Sequence, residues 1–158
     1  MKNLSFKYLL FFILFALLGF SREFIFVNLN DRLYTMYYGH EESLLPNGLQ
    51  FIKNYSYTAL YYSKYVLTIL YFLAYGLASY MAINIICSDK PFAKWVIYLY
   101  LFIVVISGIT MLYNYFINEQ LDGDNYLFSR WLMGIAQSPL IVFFMIASHL
   151  LYKKMKLS

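Results

Sequence analysis

The sequence contains one cysteine and two histidines, the residue types best suited to nucleophilic catalysis. Cys87 and His149 fall near the same end of their predicted helices, and a thiol needs a nearby base to act as a nucleophile. An imidazole base is in turn oriented by an acidic group, and the sequence places none beside His149. The pattern therefore predicts no catalytic pair, since a packed thiol and a boundary histidine account for both residues.

Two acidic segments contain residue types that bind metal ions. His40, Glu41 and Glu42 are consecutive, so they lack the His-Glu-x-x-His spacing that places two imidazoles on one helix face. Residues 122–125 (Asp-Gly-Asp-Asn) supply oxygens but lack the downstream glutamate of an EF-hand. Since the chain also has one cysteine and no glycine-rich phosphate loop, the sequence predicts no metal, no cofactor and no enzymatic activity.

Gln137, Ser138 and Pro139 interrupt the last apolar segment of the chain. Polar side chains are costly in hydrocarbon and tend to face the interior of a helix bundle. Pro139 also has no N–H, so the carbonyl of Ile135 needs a donor from a neighbouring helix or from water. The sequence predicts a kink and a polar packing point at Gln137 and Pro139. Kinks of this kind occur in transporters, but they more often shape packing, and we favour the packing interpretation.

Four charged residues form a candidate interaction cluster at one membrane boundary. Arg22 and Glu23 end the first apolar segment, Arg130 begins the last one, and Glu119 lies in the connection before it. In one interpretation they meet at the outer leaflet and bind a lipid headgroup or a partner segment. In the other, each side chain reaches separately into the headgroup layer.

The composition identifies the bilayer as the solvent of this chain. Hydrophobic residues make up 62% of its 158 residues and charged residues only 13%, whereas soluble domains contain about 25% charged residues. Apolar segments of about 20 residues cross a hydrocarbon core of about 30 Å as helices. We therefore predict an all-α fold, a four-helix integral membrane bundle that forms one membrane domain over residues 1–158. The predicted spans are residues 5–26, 65–87, 95–117 and 131–152.

The first span has a competing interpretation as a cleaved signal peptide. Lys2 and Lys7 provide a basic start, and Gly19 and Ser21 place small residues before Arg22. The apolar stretch that continues after Ser21 favours an uncleaved span.

The basic residues orient the predicted bundle. If both termini and the connection at residues 88–94 share one side, that side has seven lysines against one aspartate, a net charge of +6. The other side then has a net charge of −2. The positive-inside rule places the lysine-rich side in the cytoplasm of a multi-pass protein of the bacterial inner membrane. Because the basic residues are distributed in this way, we expect no nucleic-acid partner; the expected partners are the bilayer and another membrane protein.

The predicted extracytoplasmic loops cover residues 28–64 and 118–130, and the first is partly helical. Asn30 or Asp31 is predicted to cap a short helix that ends near Gly39, and an interfacial helix is predicted from Pro46 into the second span. This loop region is rich in tyrosine, which suits either the headgroup layer or a protein-docking surface. These tyrosines are Tyr34, Tyr37, Tyr38, Tyr55, Tyr57, Tyr61, Tyr62 and Tyr65.

The layout of the chain resembles a known family. Arg22 closes the first span and is followed by Phe24, while the last span has Arg130 at its start and contains Gln137 and Pro139. This arrangement is similar to that of small four-span membrane proteins associated with exosortase systems in Bacteroidota, of the exosortase F-associated type. The resemblance implies an accessory to a transpeptidase-like sorting enzyme. It does not imply the enzyme itself, since the chain lacks an outward-facing cysteine with histidine and arginine beside it.

Two functions are compatible with these observations. The leading hypothesis is a non-enzymatic accessory or assembly protein of the inner membrane, serving an exosortase-type system as the resemblance implies. The alternative is a small transporter or channel subunit that acts as an oligomer around Gln137 and Pro139.

Overall fold

The computed structural model describes residues 2–39, 45–118 and 127–157. These residues form five α-helices and one 3-10 helix, and no strand occurs within these ranges, which confirms the all-α prediction. The α-helices are α1 (Lys2–Tyr38), α2 (Tyr57–Cys87), α3 (Lys90–Asn118), α4 (Leu127–Ala136) and α5 (Leu140–Leu157), and the 3-10 helix covers Asn47–Asn54.

Three helical segments are long and apolar enough to cross a membrane. They are Phe6–Tyr38, Tyr57–Cys87 and Lys90–Asn114, and most of their side chains are exposed, as expected for helices that face lipid. The α4–α5 pair provides a fourth span if its two bent halves cross the membrane together. The chain is thus a multi-pass membrane protein by the length and composition of its helices.

The fold divides into two compact units, which we describe separately. The loop unit consists of residues 16–71, and the bundle unit consists of residues 1–15 and 72–158. Both α1 and α2 contribute to each unit, while α3, α4 and α5 belong to the bundle unit.

The loop unit has an apolar core of its own. It is formed by Leu29 and Leu33 of α1, Leu49 and Ile52 of the 3-10 helix, and Leu60 of α2. In each pair, residues three or four positions apart fall on one side of their helix, so both helices turn an apolar face inward.

The predicted short helix capped at Asn30 or Asp31 is not separate, because α1 runs unbroken from Lys2 to Tyr38. Leu29 and Leu33 continue the buried face of α1 through this region, and residues 20–38 contain no proline or glycine that would end the helix. The predicted end near Gly39 is confirmed, since Gly39 has a φ of +66°, typical of a helix C-terminus.

The predicted interfacial helix is divided in two: residues 57–64 belong to α2 and run into the second span as expected, whereas residues 47–54 form a separate 3-10 helix. The 3-10 helix ends at Asn54, and Tyr55 is extended. Ser56 is the N-cap of α2, since its hydroxyl accepts a hydrogen bond from the N–H of Ala59 (3.3 Å). The Nη2 group of Arg32 donates to the carbonyl of Lys53 (3.2 Å) and ties the end of the 3-10 helix to α1.

The bundle unit is built around one face of α3. Its buried residues follow an alternating three- and four-residue spacing that keeps them on a single side of the helix. They are Ala93, Val96, Tyr100, Ile103 and Ser107. Helix α4 packs closely against this face.

Helix α4 runs antiparallel to α3. Ser107 of α3 lies against Ser129 at the start of α4, whereas Tyr100 lies against Ala136 at its end. The hydroxyl of Ser129 donates to the carbonyl of Ser107 (3.2 Å). This register places the end of α4 beside the middle of α3, where the candidate site lies.

Candidate functional site

Residues 137–139 break the last membrane segment, and α4 and α5 are bent there by 60°. The helical hydrogen bonds stop with the N–H of Gln137 donating to Met133 (3.0 Å) and resume with Phe143 donating to Pro139 (3.1 Å). If each half tilts by about 30°, α4 rises by about 13 Å and α5 by about 23 Å at 1.5 Å per residue. The pair is therefore long enough to cross a core of about 30 Å despite the bend.

The carbonyl that Pro139 leaves without its helical donor is satisfied locally. Ser138 donates to the carbonyl of Ile135 from both its hydroxyl (2.7 Å) and its backbone N–H (3.2 Å). The sequence had led us to expect a donor from a neighbouring helix or from water, and for Ile135 that expectation is wrong. A serine next to the proline supplies the bond because its short hydroxyl reaches back three residues along the chain.

A neighbouring helix does satisfy the next carbonyl. The hydroxyl of Tyr100 in α3 donates to the carbonyl of Ala136 at the end of α4 (2.9 Å), and it lies 3.1 Å from the hydroxyl of Ser79 in α2. Since a carbonyl only accepts and Tyr100 has one hydroxyl proton, Ser79 must be the donor to Tyr100. The hydrogen bonds therefore run from α2 through α3 to the broken helix.

The Tyr100 ring is held in place on two sides. A Cβ on Gly76 would lie 3.3 Å from the carbon atoms of the ring, so the absence of a side chain there lets the ring pack against α2. The ring of Phe72 contacts Tyr100 edge-on, with 5.1 Å between centroids. Close packing on both sides fixes the hydroxyl in the direction of Ala136.

The polar groups at the break are withdrawn from the surface of the bundle unit. Gln137 is only 4% exposed, Ser79 is fully buried and Tyr100 is buried. The bonds traced from Ser79 to Ala136 consist of hydroxyls and a backbone carbonyl, which are uncharged at neutral pH. Such an arrangement is suited to fixing the geometry of a helix break.

The candidate outer cluster is divided between the two units. Arg22 and Glu23 lie within α1 in the loop unit, where the guanidinium carbon of Arg22 is 5.5 Å from the ring centroid of Phe26, a cation–π distance. Arg130 lies in α4 in the bundle unit, and Glu119 lies outside the described residues. A meeting of these four residues therefore stays a prediction.

A histidine–carboxylate contact joins two helix ends of the bundle unit. Asp89 lies in the turn after α2, and its Oδ2 is 4.0 Å from Nδ1 of His149 in α5. The structure thus places a carboxylate near His149, where the sequence led us to expect none, at a distance beyond that of a hydrogen bond. Sixty residues separate the two in sequence, so only the packing of α5 against the start of α3 brings them together. Cys87 is half-buried at the end of α2.

The described residues contain no group of three or more histidine, cysteine or acidic side chains that could hold a metal ion. Both acidic segments that we considered for metal binding, residues 40–42 and 122–125, lie outside the described part of the chain.

The tyrosines of the loop unit form a row of exposed rings along α1 and α2. The ring of Tyr38 contacts Tyr34 and Tyr37, with centroids 4.6 Å and 5.0 Å apart. The row continues from Tyr37 across to Tyr57 (6.2 Å) on α2 and then to Tyr61 (6.1 Å). We call these rings, together with Tyr65, the tyrosine row. These exposed rings contact one another in sequence and present a continuous aromatic surface on the loop unit.

Comparison of the chain with models of known protein families, with curated protein sequences and with solved structures finds no match. These comparisons therefore bear on no family, including the one that the sequence resembles.

Proposed function

We propose that the chain is a non-enzymatic accessory or assembly protein of the bacterial inner membrane, with both termini in the cytoplasm. The observation that carries this proposal is the pairing of the broken helix within the chain itself. Ser138 and Tyr100 close the carbonyls of Ile135 and Ala136, so the break serves to shape the bundle. Because these two carbonyls are paired within the bundle unit, the outer surface is the part of the chain left to contact a partner.

The tyrosine row is the surface that we propose for docking another membrane protein. Tyrosine is enriched at protein interfaces because its ring buries apolar area while its hydroxyl still finds a hydrogen-bond partner. The hydroxyls of Tyr61 and Tyr65 lie 2.9 Å apart, which limits the freedom of both side chains before a partner arrives. By the resemblance described above, the proposed partner is an exosortase-type sorting enzyme.

Purification in mild detergent tests the proposal. We expect the chain to retain a larger membrane protein, and we expect a Tyr37→Ser/Tyr61→Ser variant to lose it. A Tyr98→Ser/Tyr113→Ser variant is the matched control, because both of these tyrosines are exposed on α3 outside the row. Repeated recovery of a lone monomer from cells whose export of sorted proteins is intact would contradict the proposal.

The 60° break favours a second candidate, a small transporter or channel subunit that acts as an oligomer. Broken membrane helices frame substrate sites in several transporter folds. In this case reconstituted vesicles should show a solute flux that changes in Gln137→Leu. An absence of flux across the tested ions and small solutes would count against this candidate and leave the accessory function in place.

A further inference from the structure

Five exposed lysines lie where two helices of the bundle unit begin or end. Lys90 and Lys94 belong to the first turns of α3, and the others belong to the last turns of α5. We call this set the lysine end. Its members are Lys90, Lys94, Lys153, Lys154 and Lys156.

Contacts of His149 hold the two helix ends together. Its Nδ1 is 4.0 Å from the carboxylate of Asp89, and its ring centroid is 4.8 Å from that of Phe92 in the first turn of α3. Lys153 and Lys156 follow His149 by four and seven residues, so they share its face of α5, about one and two turns beyond the contact with Asp89 and Phe92. The five lysines thus occupy one end of the bundle unit.

The lysine end has a net positive charge, because few of the described acidic side chains lie near its ammonium groups. Asp89 is the acidic residue that the structure describes there, and both of its oxygens face other groups. Oδ1 accepts a hydrogen bond from the N–H of Phe92 (3.0 Å) and thereby caps α3, while Oδ2 faces His149. The ammonium groups are therefore positioned to attract an external anion.

Aromatic residues place the lysine end at the depth of lipid headgroups. Trp95 directly follows Lys94, and Tyr152 directly precedes Lys153; both aromatic side chains are exposed. Tryptophan and tyrosine concentrate at the membrane–water boundary, where one end of the side chain is apolar and the other is hydrated. Lysines at this depth lie beside the phosphate groups of the bilayer, which are closer to them than any soluble partner would be.

We propose that the lysine end binds anionic phospholipid headgroups and selects them over zwitterionic ones. Each ammonium donates hydrogen bonds to phosphate oxygens, and the summed positive charge favours lipids with a net negative charge. This surface is distinct from the tyrosine row, and the inference stands whether or not the proposed docking function is correct.

Fluorescence of the two tryptophans of the chain can report which lipids lie near each of them. In a Trp131→Phe variant, Trp95 reports on lipids beside the lysine end. In Trp95→Phe, Trp131 reports from a point about 15 Å farther along the bundle, given the antiparallel register of α3 and α4. Each variant is reconstituted in phosphatidylcholine vesicles that contain increasing fractions of brominated phosphatidylglycerol or brominated phosphatidylcholine, and quenching of fluorescence is measured.

We expect brominated phosphatidylglycerol to quench Trp95 at a mole fraction about fivefold lower than brominated phosphatidylcholine. A factor of about five corresponds to the binding free energy that one lysine contributes near an anionic membrane surface. Because Arg130 directly precedes Trp131, any preference at Trp131 should be unaffected when the five lysines are replaced. Replacing all five lysines with glutamine should abolish the preference at Trp95, while replacing them with arginine should retain it. Equal quenching of Trp95 by the two lipids, or an unchanged preference in the glutamine variant, would overturn the proposal.

Discussion

Removal of one hydroxyl tests whether the bundle depends on the closure of its broken helix. In Tyr100→Phe the ring that packs against Gly76 and Phe72 is kept, but the carbonyl of Ala136 loses its donor. A buried polar group left without a partner costs about 1–3 kcal/mol. Hydrogen bonds between membrane helices contribute about 0.6 kcal/mol on average and up to about 1.7. We therefore expect a loss of about 1–2 kcal/mol in the free energy of unfolding.

The assay is reversible unfolding in mixed detergent micelles with increasing SDS, followed by circular dichroism. Tyr98→Phe is the matched control, since it removes the same hydroxyl from a ring on α3 that is 58% exposed, and we expect a change below about 0.5 kcal/mol. Ser79→Ala should cost less than Tyr100→Phe, because Tyr100 still donates to Ala136. Equal effects of Tyr100→Phe and Tyr98→Phe would refute the reasoning.

Two further predictions use matched pairs. Gly76→Ala places a Cβ 3.3 Å from the fixed ring of Tyr100 and should bring no gain in stability. In Gly108→Ala the new Cβ meets nothing within 4 Å, so this variant should be more stable by up to about 1 kcal/mol. Equal gains of the two variants in the SDS assay would contradict this prediction. Ile52→Ala removes a core side chain of the loop unit that is 8% exposed and should cost about 2–4 kcal/mol locally, whereas Phe51→Ala, at 63% exposed, should cost little. Hydrogen exchange of residues 47–54 measures the difference, and similar exchange rates in the two variants would argue against the described core.

The sequence locates the helix break because the chemistry of proline is local. Pro139 removes an N–H wherever it occurs, so an interruption near Gln137 follows from the sequence alone. The end of α1 at Gly39 follows in the same way from the conformational freedom of glycine. The continuity of α1 past Asn30 was missed because asparagine and aspartate favour helix caps, and here the burial of Leu29 and Leu33 overrides that local preference.

The groups that close the break depend on packing between distant segments. Tyr100 lies 36 residues before Ala136, and in a chain with 18 tyrosines it is most simply assigned to the headgroup layer. Ala93, Tyr100 and Ser107 recur every seven residues and so share one helix face. Small and polar side chains on one face are the signal in the sequence that could have placed Tyr100 inside the bundle. The contact of Asp89 with His149 has no comparable signal, because it depends on where α5 emerges from the bend.

The topology of the last two helices is the most direct test of a four-span protein with both termini in the cytoplasm. Reporter fusions after Gln50, Lys90, Asn125 and Ser158 should be located outside, inside, outside and inside, respectively. The decisive comparison is between the last two positions, because α4 and α5 cross the membrane as one broken span only if Asn125 and Ser158 lie on opposite sides. If both reporters are found on the same side, the α4–α5 pair is a re-entrant segment and the four-span account is wrong.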